Sequence, residues 1–379
     1  MQFLIFTEGG AVSGAGHITR CLSFCSVLSS KSIKTSMIVK IDNEGGDEIL
    51  ENINIPGLSI EKIDWHDIDK LKKYINGLEP PAGQREIKET KISNRKDFNL
   101  FNEDSGERAI TGREDCNENA KEIINVIIDS YKAGPEIYQY LCAVSNKGIF
   151  CDDFNRIKYP CGYILNGAVS AVKLNYPADD AGIKYLLGPK YQPVREEFLK
   201  IKRAAIKAEI SKIIVTCGAA APAWLYAKIL KSLHEIIPAA EINIVTGNAS
   251  ITTESINIPG GLKAIFHSKL DAARMASLIS GCDAAVSACG QTLYELSLAG
   301  VPTIAFMTAE NQKNNAAGFT ELNAIEYCGR SEEDDFEIKL KKALTVILNH
   351  ERRLELSGHA RNIIDGKGAA RCLKEVFSV

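Results

Sequence analysis

The chain has 379 residues, which is long enough for two domains of ordinary size. Its 45% hydrophobic and 25% charged residues are typical of a globular protein with an ordinary core. The formal net charge of −3 gives no basic surface for nucleic acid, and no apolar run approaches the ~20 residues of a membrane span. We therefore expect no nucleic acid and no membrane span among its partners, while the oligomeric state stays unknown.

The cysteines and the N-terminus bear on the compartment and on metal binding. The eleven cysteines are an odd number, no CxxC pair occurs, and no spacing is typical of paired metal ligands. The N-terminal apolar segment is short and runs directly into glycines, unlike a signal peptide. We therefore expect a cytoplasmic protein with no bound metal and no cofactor. Its thiols are expected to be free and buried, several of them in apolar segments: Cys21, Cys25, Cys142, Cys217 and Cys282.

The first 30 residues predict a strand, a glycine-rich turn and a helix. Residues 3–6 form an apolar run typical of a buried parallel strand, and an amphipathic run follows from Ile18 to Leu28. Between them the glycines permit a close backbone approach to a ligand, and the helix N-terminus offers unpaired N–H groups to phosphate. This pattern predicts a phosphate cradle. Its glycines are Gly9, Gly10, Gly14 and Gly16.

His17 stands at the mouth of that helix, and two roles are open to it. The imidazole can cap or pack at the helix start, which is a structural role. It can also handle a proton beside a bound phosphate, because histidine is the side chain that titrates near neutral pH. The spacing alone leaves both roles open.

The rest of the first half alternates strands and helices. Apolar strands are predicted at 35–39 and 58–63, and helices from Gly45 and at 68–75. Residues 79–122 are polar and charged with few apolar anchors, which predicts an exposed insertion. Beyond it, three apolar strands end in polar residues, as ligand-binding strands of an open α/β sheet do. We expect these polar residues to face the crevice of His17, the alternative for each being a helix cap or turn. They are Asp129, Tyr131, Asp152, Asp153 and Asn166.

The second half repeats the alternation. Residues 186–195 are rich in turn formers and predict a connection between domains. Strands are predicted at 213–218 and 242–247, at the start of the run 284–292 and at 302–306, with helices between them and a helical C-terminal tail. The sequence thus predicts a domain at 1–186, a connecting segment at 187–205 and a second domain at 206–379. Right-handed crossovers would point both sets of strand ends toward one cleft.

Short motifs along the chain resemble one family. The run GAGHITRC at residues 14–21 resembles the GxGHxxRC signature of nucleotide-sugar hydrolases of pseudaminic acid synthesis. These are the UDP-2,4-diacetamido-2,4,6-trideoxy-β-L-altropyranose hydrolases, together with their spore-coat polysaccharide relatives. Further matches follow in register outside the insertion: IDSY at 128–131, CDD at 151–153, LN at 165–166, LGPKY at 187–191, REEF at 195–198, TLYEL at 292–296, GVP at 300–302 and ENQ at 310–312.

The resemblance implies a fold and a reaction. The fold would be α/β, two Rossmann-like domains facing across a cleft, which is the glycosyltransferase B-type fold. The substrate would be a UDP-linked amino sugar, hydrolysed without a metal to UDP and the free sugar. His17 would align the water or take its proton, while Tyr131 and Asn311 would line the sugar pocket. Glu295 would hold the ribose or base, with the diphosphate at Ser287, Gly290, Gln291 and Thr292. The remaining substrate-binding residues would be Gly14, Gly16, Arg20, Asp129, Asn166, Gly218 and Gln312.

Two other function classes remain open. A glycosyltransferase of the same fold would pass the sugar to an acceptor instead of water. A binding protein would keep the nucleotide cleft without turnover. The loop from Ala219 to Ala221 is compatible with this third class, because it lacks the hydroxyl and the acid that the family carries there. A nucleotide sugar is the expected ligand in all three cases.

Overall fold

A computed structural model describes residues 1–10, 15–42, 50, 53–78, 124–177, 182–201, 205–218, 221–247, 251, 255–268 and 270–379. Four sequence predictions lie outside these residues. They are the 79–122 insertion, the helix from Gly45, the placement of Gly14, and the conformation of Ala219 and Ala220. The described residues form two parallel β-sheets with helices against both faces.

The first sheet has seven strands in the order β3-β2-β1-β4-β5-β6-β7. All of its neighbouring strands run parallel. Its strands are β1 (Gln2–Gly9), β2 (Thr35–Ile41), β3 (Leu58–Lys62), β4 (Ile124–Asp129), β5 (Lys147–Cys151), β6 (Gly162–Asn166) and β7 (Ile183–Leu187). The described helices of this half are α1 (Gly16–Ser30), α2 (Ile68–Gly77) and α3 (Pro135–Val144).

The second sheet has six strands in the order β10-β9-β8-β11-β12-β13, again all parallel. Its strands are β8 (Lys212–Thr216), β9 (Glu241–Thr246), β10 (Lys263–Ser268), β11 (Ala284–Ala288), β12 (Thr303–Met307) and β13 (Glu326–Arg330). The helices of the second half are α4 (Ala223–Ile236), α5 (Ala272–Ser280), α6 (Thr292–Ala299), α7 (Lys313–Glu321), α8 (Phe336–Ile347), α9 (His350–Arg361) and α10 (Gly368–Phe377).

The apolar composition of the central strands is typical of a parallel sheet covered by helices on both faces. β1 and β4 are apolar along most of their length and buried on both faces, as strands covered by helices on two sides must be. Their register pairs Thr7 with Asp129. The residues that follow each strand therefore meet at one edge of the sheet, the edge toward which α1 begins. The pattern of apolar runs had predicted these strands, but not β7, β13 or α3.

The last helix returns to the first sheet. Cys372, Leu373 and Val376 of α10 share one hydrophobic core with residues of β1 and α1. The ring of Phe377 meets that of Phe3 edge-on, with centroids 4.8 Å apart. The first half is thus completed by the C-terminal end of the chain, and the predicted boundaries at 186 and 206 remain predictions.

The cysteines correct one expectation. Cys142 of α3 forms a disulfide with Cys161, so the prediction of a free thiol is wrong for Cys142. The two residues are 19 positions apart, on segments that the fold of β5 and β6 brings side by side, which spacing alone does not reveal. The other eight described cysteines are free and buried. Among the described residues, no helix combines the length and the apolar character that crossing a membrane requires.

Gly300 ends α6 in the left-handed conformation, with φ of 72°. A Cβ there would also overlap the side chain of Arg361. We expect Gly300→Ala to lower the free energy of unfolding by roughly 2–5 kcal/mol, the sum of left-handed strain and overpacking. Urea unfolding measures this loss. Gly281→Ala is the matched control, because Gly281 ends α5 with φ of −87° and its nearest neighbours lie 3.5 Å from an added Cβ. Equal losses in both variants would contradict the prediction.

Candidate active site

The carboxyl ends of the two sheets enclose a cavity of about 270 Å³. Its walls come from both halves of the chain, as expected of ligand sites at the strand ends of open α/β sheets. From the first half, the predicted site residues on the wall are Gly16, His17, Arg20 and Tyr131. From the second half they are Gly218, Ser287, Gly290, Gln291, Thr292, Asn311 and Gln312.

His17 lies in the first turn of α1 and is held by an acid at the end of β4. Its Nδ1 is 2.6 Å from Oδ1 of Asp129. An ionised carboxylate only accepts hydrogen bonds, so Nδ1 carries the proton and Nε2 is the basic nitrogen. The ring also meets Tyr131 edge-on, with centroids 4.3 Å apart. The imidazole is thereby fixed in one orientation at the wall of the cavity.

Arg20 completes the buried charge cluster. Its Nε and Nη2 each donate to Asp129 at 2.6 Å, and its Nη1 donates to Asp153 at 2.7 Å. Tyr131 donates its hydroxyl to the other oxygen of Asp153 at 2.5 Å. Arg20 and His17 lie three residues apart on one face of α1, which is why both reach the same carboxylate. The positive charge of Arg20 is therefore shared between the carboxylates of Asp129 and Asp153, and the side chain also lines the cavity.

Burial and neighbouring charges shift the pKa values of His17 and Asp129 in opposite directions. Burial alone would lower the pKa of His17, but the charge of Asp129 and its hydrogen bond outweigh burial and raise it. Burial alone would raise the pKa of Asp129, but Arg20 and His17 hold it far below the ordinary value. Burial raises the pKa of Tyr131, and the charge of Asp153 adds to the effect. Asp129 is thus ionised and Tyr131 neutral at ordinary pH, while His17 titrates above its usual range.

The opposite wall is the N-terminus of α6. Gly290, Gln291 and Thr292 lie there, and no described side chain caps the helix. The first N–H groups of a helix have no partner within it and carry a partial positive charge. α1 likewise begins at the cavity without a side-chain cap among the described residues. Two helix N-termini thus converge on one space, an arrangement suited to an anion.

Glu295 is placed one turn into α6, behind the cavity rather than on its wall. Its Oε1 accepts a hydrogen bond from Nε of Arg195 at 2.7 Å, and Arg195 does line the cavity. The other oxygen, Oε2, is buried and has no hydrogen-bond partner among the described residues. A buried carboxylate oxygen left without a partner costs free energy. The carboxylate does not reach the cavity wall itself, so Glu295 acts on the wall through Arg195.

The amide side chains of the second half differ in what they can offer. Gln291 is occupied, because it accepts from Gln192 at 2.8 Å and donates to the carbonyl of Pro193 at 2.7 Å. Gln312 is bonded to both the N–H and the hydroxyl of Thr308. Asn311 is exposed on the cavity wall. The side chain of Gln291 is thus oriented by two hydrogen bonds, whereas Asn311 can offer its side chain to a ligand.

Three predicted crevice residues do not line the cavity. Asn166 is fully buried and accepts from the N–H of Ala168, as a turn residue does. Asp152 accepts from backbone N–H groups of the loop after β5. For these two residues the turn alternative is the better description. Asp129 does not reach the wall itself but acts on it through His17 and Arg20.

Some residues of the site were missed from the sequence. Glu8 ends β1 in a buried position and accepts from Ser130 and from the N–H of Tyr131. It follows an apolar strand, the same signal that identified Asp129. Arg195 was taken only as part of the connecting segment, and nothing in its local pattern points to Glu295, one hundred residues away. Among the residues that the structure covers, no three potential ligands are grouped to hold a metal ion.

Comparison with known proteins shows which characterised sequences and structures this chain resembles. No family model matches the chain. It is 24% identical over 374 residues to the spore coat polysaccharide biosynthesis protein SpsG of Bacillus subtilis, covering 98% of this chain and 96% of that protein. It is 28% identical over 200 residues to a Helicobacter pylori protein named pseudaminic acid cytidylyltransferase and UDP-2,4-diacetamido-2,4,6-trideoxy-beta-L-altropyranose hydrolase. The chain is homologous to both.

The resemblance drawn from the motifs is therefore confirmed. The second alignment covers 52% of this chain and only 36% of the Helicobacter protein. A solved structure, MurG of Acinetobacter baumannii, matches over the full length of both chains with a TM-score of 0.61 at 12% identity. At that identity the likeness concerns the fold alone. The prediction of a glycosyltransferase B-type fold, two parallel α/β halves, is confirmed.

Proposed function

We propose that the protein is an enzyme that hydrolyses a UDP-linked (di)acetamido-deoxy sugar to UDP and free sugar. The pathway would be the synthesis of a nonulosonic acid of the pseudaminic type or of a surface polysaccharide, in the cytoplasm. One observation carries the proposal: the His17–Asp129 pair faces the N-terminus of α6 across one cavity. A base and an anion-binding site on opposite walls are what attack of water on a nucleotide sugar requires.

The first half would supply the base. Nε2 of His17 takes the proton of a water molecule as its oxygen attacks the anomeric carbon, and Asp129 stabilises the imidazolium that forms. Tyr131 and Asn311 would contact the sugar from the two halves, since both lie on the wall. Because the water approaches from the side opposite to the leaving group, the configuration at the anomeric carbon inverts.

The second half would hold the leaving group. As the bond to the sugar breaks, negative charge grows on the diphosphate. The backbone N–H groups of Gly290, Gln291 and Thr292 then meet that charge at a helix N-terminus. Ser287 and Gly218 on the same wall would complete the contact. The chain's own dipoles thus serve the role that a cation plays in other diphosphate sites.

Contacts across the cleft join the two halves of the chain beside the cavity. Asn314 of α7 donates to the carbonyl of Asp153 at 3.0 Å, and Ser170 donates to the carbonyl of Asn314 at 2.9 Å. Lys173 forms an ion pair with Glu321 at the other end of α7. These contacts hold the two walls together and are equally compatible with water and with a second substrate as the acceptor. The incubation described next distinguishes hydrolysis from the glycosyltransferase alternative.

Incubation of the purified protein with UDP-diacetamido sugars, without acceptor and with a chelator, tests the proposal. We expect UDP and free sugar in equal amounts, with the sugar inverted when first observed by proton NMR. Release of UDP only after an acceptor is added would support a transferase. UDP binding without turnover would support the non-catalytic alternative, and either outcome would contradict hydrolysis.

Glu295→Gln tests the nucleotide site. The substitution keeps the shape but removes the charge that holds Arg195 at the cavity wall, so UDP affinity should fall about 10-fold to 100-fold, the worth of one hydrogen bond to a charged group. Calorimetry measures the change. Glu326→Gln is the control, because Glu326 forms a similar pair with Arg352 at 2.6 Å and does not line the cavity. Unchanged UDP affinity in Glu295→Gln would contradict the assignment.

A further inference from the structure

Glu8 is a buried carboxylate at the end of β1 that the proposed mechanism does not use. Its Oε2 accepts from the hydroxyl of Ser130 at 2.7 Å and lies 3.1 Å from Nε2 of His66. Its Oε1 accepts from the backbone N–H of Tyr131 at 3.0 Å. These partners come from two other segments of the first half. The carboxylate is therefore fixed from several sides without any ligand.

The same Oε1 faces His17. It lies 4.0 Å from Nε2 of His17, while Oδ1 of Asp129 lies 2.6 Å from Nδ1. The imidazole thus has one carboxylate near each of its two ring nitrogens. The strand register produces this arrangement, because Thr7 pairs with Asp129 and the ends of β1 and β4 lie side by side.

We propose that Glu8 is a positioning residue of His17, a second carboxylate that together with Asp129 sets the orientation and the charge of the imidazole. Glu8 does not belong to the cavity wall, so it acts through His17 and not on the ligand. This inference rests on the proposed hydrolysis only for its kinetic readout, since the charge of His17 can be measured without substrate.

The charges around the ring favour the imidazolium form. Two carboxylates, those of Asp129 and Glu8, lie within about 4 Å of the ring nitrogens, and an opposite charge at that distance stabilises a cation. Burial lowers the pKa of His17, but Asp129 and, to a smaller degree, Glu8 raise it more. Burial raises the pKa of Glu8, but the hydrogen bonds from His66 and Ser130 and, after them, the charge of His17 outweigh burial and lower it. The charged and titratable groups of this cluster are Glu8, Arg20, His66, Asp129, Tyr131 and Asp153.

The substitution Glu8→Gln removes the charge and keeps the shape. We expect the titration of His17, followed by NMR of its ring C–H in the ligand-free protein, to move to lower pH, because the charge of Glu8 raises the pKa of His17. The signal is assigned by its loss in His17→Ala. A base works in its neutral form, so the acid limb of kcat/KM should move down by the same amount. If the role of Glu8 were purely structural, Glu8→Gln would lower activity at every pH and leave the acid limb of the kcat/KM profile at the same pH.

Two further variants make the result decisive. Glu61→Gln makes the same chemical change on β3, where Glu61 accepts from Tyr74 at 2.9 Å, and should leave the titration of His17 in place. His66→Ala keeps both carboxylates and should leave the titration unchanged or move it up. An unmoved titration in Glu8→Gln, or an equal fall in His66→Ala, would overturn the inference.

The two proposals can fail separately. If no nucleotide sugar is hydrolysed but the NMR titration moves in Glu8→Gln, the proposed function is wrong and the role of Glu8 stands. If hydrolysis proceeds and the titration does not move, the inference about Glu8 is wrong and the proposed function stands.

Discussion

His17→Ala is expected to lower the rate of UDP release by roughly 10²- to 10⁴-fold, the usual contribution of a positioned general base. UDP affinity should stay within about twofold, because the proposed nucleotide contacts lie on the other half of the chain. The fold should persist, since Asp129 keeps both of its hydrogen bonds to Arg20. Single-turnover kinetics and calorimetry measure the two quantities separately. Added imidazole should restore part of the activity, because it can occupy the space that the ring leaves.

The control for this variant is His359→Ala. His359 is exposed on α9 and bonded only to the carbonyl of Asn323 among the described residues, so its loss should change neither quantity. If His17→Ala unfolds the protein or abolishes UDP binding, His17 has a structural role. The proposed mechanism would then be wrong.

Asp129→Asn is expected to affect activity and stability together. The amide can no longer hold Nδ1–H of His17 in its orientation or stabilise the imidazolium, and we expect kcat to fall roughly 10³- to 10⁴-fold. Removing one partner of a buried ion pair typically costs about 3–5 kcal/mol. We expect a loss of stability at the lower end of that range, because Arg20 keeps its hydrogen bond to Asp153. Urea unfolding at several pH values measures the loss.

The loss of stability should depend on pH in a defined direction. The pKa of Asp129 is lowered in the folded protein, so its contribution is present above the unfolded value of about 3.9 and is lost as pH falls through the folded value. The pKa of His17 is raised, so its contribution is present below about 6.5 and is lost as pH rises through the folded value. The variant should therefore differ most from the parent between about pH 4 and pH 6.5.

Asp283→Asn is the matched control for Asp129→Asn. Asp283 is another acid that accepts several hydrogen bonds, from Ser211 and the N–H of Lys212, but it lies outside the cavity. Its substitution should lower stability and leave the rate per folded molecule unchanged. Equal losses of rate in the two variants would show that activity follows stability alone, which would contradict the role of Asp129.

The alternation of apolar strands and helices was determined by the sequence alone, because buried parallel strands need continuous apolar residues. The polar residues at the strand ends also pointed to Asp129 and Tyr131, and the glycine-rich turn before the first helix pointed to His17. β7 and β13 were missed, since both lie at sheet edges and carry polar residues within a weak apolar pattern. The edge strand β3 was nevertheless predicted, so the local pattern identifies a strand where apolar residues are frequent and misses it where polar residues interrupt them.

Only the tertiary structure decided which charges meet. The contact of His17 with Asp129 joins residues 112 positions apart, and that of Arg195 with Glu295 joins residues 100 apart. The return of α10 to the first sheet and the pairing of Cys142 with Cys161 depend equally on packing. Local sequence determines the type of most elements, through the backbone preferences of the residues and the spacing of the apolar ones. Partners distant in the chain are set by strand order and register, which no short segment contains.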